Sequence, residues 1–75
     1  MESAEQVFLD RLAEVLEVPS ISPEDDFRSV PLWSSLAGFS VMVMIENEYG
    51  RTLAAADLQS AHTVGELARL AGVVG

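Results

Sequence analysis

Two adjacent hydroxyls, Ser34 and Ser35, stand where a Pro- and Ser-rich segment gives way to the strongly apolar run from Leu36 to Ile45. If that run is helical, its start gathers backbone N–H groups without intrahelical partners, together with the positive end of the macrodipole. A phosphate ester is stabilised at such a point, so a serine there could carry one. Plain N-capping uses the same residue type and is the commoner role of Ser-Ser ahead of a helix. Spacing elsewhere in the chain has to decide between the two.

Other residues invite chemistry less strongly. His62 is the only imidazole, and joined to Ser35 and Asp57 it would complete a nucleophile, base and orienting acid. Hydrolysis by such a triad also needs an oxyanion hole and an enclosed pocket, and 75 residues supply barely one core. His62 is therefore expected to face solvent or make a local hydrogen bond. Glu24-Asp25-Asp26 lacks the alternating oxygen spacing of a calcium loop, so it is read as a solvated run that caps a turn, and no metal is assigned. Met42, Val43 and Met44 are read as packing or partner contacts, with Met42 packed and Met44 open to solvent. Trp33 is expected to pin the loop onto the helices, close enough in sequence to Ser35 to touch a group attached there.

Helical periodicity supplies the elements that would position these residues. From Ala4 to Val18, Phe8, Leu12, Val15 and Leu16 share a stripe, with Glu5, Asp10, Glu14 and Glu17 on other faces. Ser3 with Gln6 has the form of a capping box, and Pro19 disfavours helix at Val18. Residues 19–34 read as a long loop with Ile21, Phe27, Val30 and Leu32 as candidate anchors. A second helix follows from Ser35 to Tyr49, with Leu36, Val41, Ile45 and Tyr49 on its stripe and Gly50 as its stop. Gly38 inside it weakens the helix by about 1 kcal/mol relative to Ala, which a close contact must offset. Leu53 to Gln59 reads as one or two short turns, and Thr63 with Glu66 as a second capping box opening a last helix through Leu67, Leu70 and Ala71 to Gly72. The expected core is Val41, Ile45, Tyr49, Leu53, Leu58, Val64 and Leu67. The fold class is all-α, a bundle of three main helices plus one short helix in a single domain over residues 1–75.

Composition narrows the function classes. Twelve acids against four Arg, with no Lys, give a net charge of −8, which argues against nucleic acid and anionic membrane surfaces as partners. There is no Cys for a disulfide or thiolate metal site, and no apolar stretch near the length of a membrane span. The start MESAEQ lacks the cationic-then-apolar order of a secretion signal, so a cytoplasmic location is expected, and the protein is expected to be a monomer.

Three segments in order bear on the question of Ser35: Trp33-Ser34-Ser35-Leu36, Ile45-Glu46-Asn47-Glu48-Tyr49-Gly50 and Thr63-Val64-Gly65-Glu66-Leu67, with Phe27 eight residues before Ser35. Over roughly residues 4–71 the chain resembles the acyl carrier protein family, where Asp-Ser-Leu opens the second helix, Leu-Glu-x-x-Phe-Gly closes it and Thr-Val-x-x-Leu opens the last. The resemblance implies an acyl-carrier-like bundle with a long loop between helices one and two. It implies a 4′-phosphopantetheine arm, derived from CoA, on the serine that precedes Leu36, namely Ser35, with acyl intermediates held as thioesters. It also implies a non-enzyme served by a phosphopantetheinyl transferase and by acyl-ACP ligase, acyltransferase or ketosynthase-type enzymes of fatty-acid, polyketide or related specialised biosynthesis. The competing reading is a divergent carrier-like interaction module that takes no prosthetic group.

Ser34 stands where the family has Asp, and Leu32 where it commonly has Gly. Acids are also displaced: residues 1–33 carry net −6 and residues 34–60 only −2. Family members usually dock through acids on the second helix, but here Ala37 and Ser40 occupy those places beside Leu36, Phe39 and Val43. The expected partner surface is thus Ser34, Leu36, Phe39, Ser40 and Val43, read by shape and apolar contact more than by charge.

Overall fold

The computed structural model describes residues 3–73. Among them the chain forms four α-helices and no strand: α1 Ala4–Leu16, α2 Ser35–Tyr49, α3 Ala55–Ser60 and α4 Val64–Leu70, with one turn of 3-10 helix, Phe27–Ser29, inside the first connection. The all-helical expectation holds, with three main helices and a short α3.

The ends of α1 follow from local hydrogen bonds. Ser3 caps it by accepting from the Gln6 N–H at 3.1 Å, but the Gln6 side chain donates onward to Asp10 Oδ1 at 3.0 Å instead of returning to the cap, so only half of the expected box forms. The helix stops at Leu16 and not at Val18, because Glu17 turns into the left-handed region (φ 58°) and Val18 donates back to the Ala13 carbonyl. α1 lays Phe8, Leu9, Leu12, Ala13 and Leu16 into the core and packs on α2 and α4. Val41 and Ile45 of α2 and Val64 and Leu67 of α4 are fully buried opposite them, while Tyr49 meets Phe8 edge to face at 5.6 Å. Tyr49 and Leu58 of the expected core are only half-buried, and Val15 lies at its rim.

Two expectations on α2 are corrected. Leu36 is 74% exposed and leaves the core stripe, and Met44, expected to be open to solvent, is buried, while Met42 packs half-buried against the core as expected. The cause is the width of the buried face: Val41, Met44 and Ile45 share one side of the helix at spacings of three and four, whereas Leu36 is five residues from Val41 and points elsewhere.

The first connection is ordered by side-chain and backbone ties rather than by length. Phe27 is fully buried, Ile21 and Val30 are half-buried, and Leu32 remains 58% exposed and anchors nothing. Asp25 accepts from the Ser22 N–H and Asp26 from the Arg28 N–H, each at 2.8 Å, so these acids cap turns as expected. The Asp25 and Pro23 carbonyls then accept from Val64 and Gly65 at 2.9 Å, and Arg28 donates to the Gln59 and Ala61 carbonyls at 3.2 and 2.6 Å. The loop is thereby fastened to the junction between α3 and α4.

α4 opens on the second capping box as expected: Thr63 Oγ1 accepts from the Glu66 N–H, and the Glu66 carboxylate accepts from the N–H groups of His62 and Thr63 at 2.9 and 3.0 Å. Those backbone bonds, first from His62 and then from Thr63, hold the Glu66 carboxyl below the ordinary carboxylate range. A carboxyl depressed in the folded state stabilises it above its unfolded pKa, and that contribution is lost as pH falls through the folded value. Urea unfolding of wild type and Glu66→Gln should therefore differ most at neutral pH and converge on acidification below about pH 4. A difference independent of pH would refute the assignment.

Candidate functional site

Ser34 and Ser35 have separate tasks. Ser34 is the N-cap of α2, extended at φ −160°, and its hydroxyl accepts from the Ala37 N–H at 3.2 Å. It thus fills the capping position of the missing Asp. Ser35 is the first helical residue; it is exposed, and its hydroxyl makes no hydrogen bond among the described residues. The positive end of the dipole and the unpartnered first-turn amides lie at its backbone. Capping is therefore done by Ser34, and the Ser35 hydroxyl is left without a capping role among the described residues.

A groove of about 390 Å³ begins at Ser35 and runs between α2 and α3, lined by Trp33, Gly38, Phe39, Met42 and Leu58, with Arg28 and Gln59 at its edge. Trp33 shapes it. The indole meets Phe27 edge to face at 5.5 Å and lies so close to α2 that a Cβ at residue 38 would stand 3.3 Å from it and from Leu58 Cδ2. Glycine at 38 admits that approach, which is the packing that offsets its helix penalty. Trp33 thus packs the loop onto the bundle as expected and also walls the space next to Ser35.

The residues expected to meet partners lie together on the outer side of the same helix. Leu36, Phe39 and Val43 are 74, 61 and 39% exposed at spacings of three and four, with Ser34 exposed and Ser40 half-buried among them. Leu32 extends this patch from the loop side.

No triad assembles. The Asp57 carboxylate accepts from the N–H of Ala54, the N-cap of α3, at 2.9 Å, and the exposed His62 turns Nδ1 to Arg28 at 3.4 Å. Nothing among the described residues joins either to Ser35. Sequence reasoning missed Arg28, whose carbonyl partners lie 31 and 33 residues away. No local pattern could have marked it.

The profile of the phosphopantetheine attachment site family matches residues 6–71, and the chain belongs to that family. No curated protein and no solved structure shows significant similarity to it. The chain is accordingly a phosphopantetheine carrier protein of the acyl carrier type, a domain to which 4′-phosphopantetheine is covalently attached. Such domains are generally non-catalytic and work with a phosphopantetheinyl transferase and with biosynthetic enzymes. Among the described residues no helix is long and apolar enough to cross a membrane. The residues at the start of α2 fit the group: an exposed hydroxyl on a helix N-terminus for the phosphodiester, and an apolar groove beside it.

Proposed function

We propose that the chain carries acyl intermediates on an arm attached to Ser35, in the cytoplasm, for fatty-acid, polyketide or related specialised biosynthesis. The observation that carries the reading is the exposed Ser35 hydroxyl at the first position of α2, without a hydrogen bond among the described residues, with Ser34 already serving as the cap. In loading, Ser35 Oγ forms a bond to the CoA phosphorus that bears pantetheine, the bond from that phosphorus to the bridging oxygen breaks, and adenosine 3′,5′-bisphosphate leaves. The hydroxyl proton passes to a base supplied by the transferase. Attached there, the arm provides a thiol that binds acyl groups as thioesters, and tethering presents them to successive enzymes at high effective concentration. The helix start would stabilise the phosphodiester anion, with Trp33 and Leu58 lining the groove beside it.

Incubation with CoA and a broad-specificity transferase should add the mass of one phosphopantetheine. No addition under forcing conditions would favour an interaction module that uses the Leu36, Phe39 and Val43 face alone.

That face also sets how partners bind. With Leu36 and Phe39 the most exposed large apolar groups on the molecule's described surface, docking is governed by apolar burial, which salt does not screen. Affinity for an acyl-processing partner should change little between low and moderate ionic strength and fall strongly in Phe39→Ala. Steep salt dependence in a titration would contradict this.

A further inference from the structure

α1 ends in a way that works against its own stability, and it does so beside the serine. α2 closes on a left-handed glycine, Gly50 at φ 68°, and α4 closes on Ala71 followed by a left-handed Gly72 at φ 80°. α1 closes on a left-handed Glu17 at φ 58°. A side chain in that region carries a steric penalty that glycine avoids, and a carboxylate at a helix C-terminus faces the negative end of the macrodipole. Glycine or asparagine would serve the turn better on both counts. Glu17 is exposed and has no ion-pair partner among the described residues, so nothing within the fold repays it.

Its surroundings give it a use. Glu17 lines a shallow groove of about 140 Å³ together with Leu32, Ser34, Leu36 and Ser40, at the border of the apolar patch. The groove that holds Ser35 contains no acid, and on α2 itself the first acid is Glu46, about three turns beyond Ser35. Any enzyme that brings the CoA phosphorus to Ser35 must cover this helix start, and to hold the several phosphates of CoA it must itself be cationic near that point.

We propose that Glu17 is the anionic contact for the loading enzyme, which takes Leu36 and Phe39 into an apolar cleft and sets a Lys or Arg against the Glu17 carboxylate. The inference rests on Ser35 as the attachment point. A single exposed pair of this kind leaves docking only weakly salt-dependent, in keeping with an interface dominated by the apolar face.

The test compares wild type, Glu17→Asn and Glu17→Gly as substrates of a purified broad-specificity phosphopantetheinyl transferase with CoA, followed by intact mass, alongside thermal melts. Both variants should melt at or above the wild-type midpoint, since each suits the left-handed position. Both should load with kcat/KM lowered about two- to fivefold at low salt, the range of one exposed ion pair, with the gap closing as salt rises. Equal loading of all three proteins at low salt overturns the inference, as does slower loading accompanied by lower midpoints in both variants. If wild type takes up no phosphopantetheine, the reading of Ser35 falls and this one falls with it.

Discussion

Ser35→Ala is expected to abolish phosphopantetheine uptake while leaving the fold in place. The Ser35 hydroxyl accepts and donates nothing among the described residues, so its removal breaks no cap and uncovers no buried group. Helix propensity favours Ala over Ser at an exposed position, and the midpoint of thermal unfolding should stay level or rise slightly. Loading should drop below detection, because the proposed attachment forms the new bond to phosphorus at the Ser35 oxygen. Ser34→Ala separates the two serines. It removes the acceptor for the Ala37 N–H and should cost about 1 kcal/mol of stability, yet it leaves the nucleophile intact, so the product mass should be unchanged. Uptake that persists in Ser35→Ala and disappears in Ser34→Ala would place the anchor one residue earlier and undo the division of labour proposed here. Peptide mapping of the loaded wild type gives the same answer independently.

How far sequence reached into this site depended on how local the cause was. α2 runs from Ser35 to Tyr49 as expected, because both of its ends are written in neighbouring residues: the Ser34 cap and a left-handed Gly50. The Thr63 and Glu66 box is equally local, and it formed. The end of α1 was misjudged by two residues, since Pro19 marks where helix must stop and cannot reveal that Glu17 takes a conformation normally left to glycine. Leu32 and Met44 were misplaced for a different reason. Hydropathy says that a side chain would gain from burial, but which face of α2 is covered depends on where α1 and α4 come to rest. Gly38 is a helix defect by propensity alone and is explained only by the Trp33 indole packed against it, and the role of Arg28 depends on the Gln59 and Ala61 carbonyls, distant in sequence. The helix start that presents Ser35 was therefore legible, while the wall beside it and the clasp that holds the loop are products of tertiary packing.

That clasp predicts the largest loss of stability. Phe27 is the one fully buried residue of the long connection, it stacks edge to face on Trp33, and the Arg28 guanidinium lies 5.0 Å from its ring centre. Phe27→Ala removes the ring from a site whose neighbours are held in place by backbone bonds to α4, so the cavity cannot readily collapse. The cost should be about 3–5 kcal/mol. Marginal stability near 0.1 kcal/mol per residue gives this chain on the order of 7 kcal/mol in all, so the variant should still fold in the cold but melt roughly 15–30 °C lower. Phe27→Leu keeps most of the buried volume and should lose only a fraction of that. The single Trp makes the local effect visible: without the Phe27 ring against it, Trp33 emission should shift to the red under conditions where circular dichroism still reports a full complement of helix. Loading of Ser35 in the cold should then slow without vanishing, since the nucleophile stays on α2 while the wall next to it loosens. A Phe27→Ala midpoint within about 5 °C of wild type, a shift equivalent to roughly 1 kcal/mol, would mean that the connection is held by its hydrogen bonds alone and that the aromatic pair contributes nothing to the site.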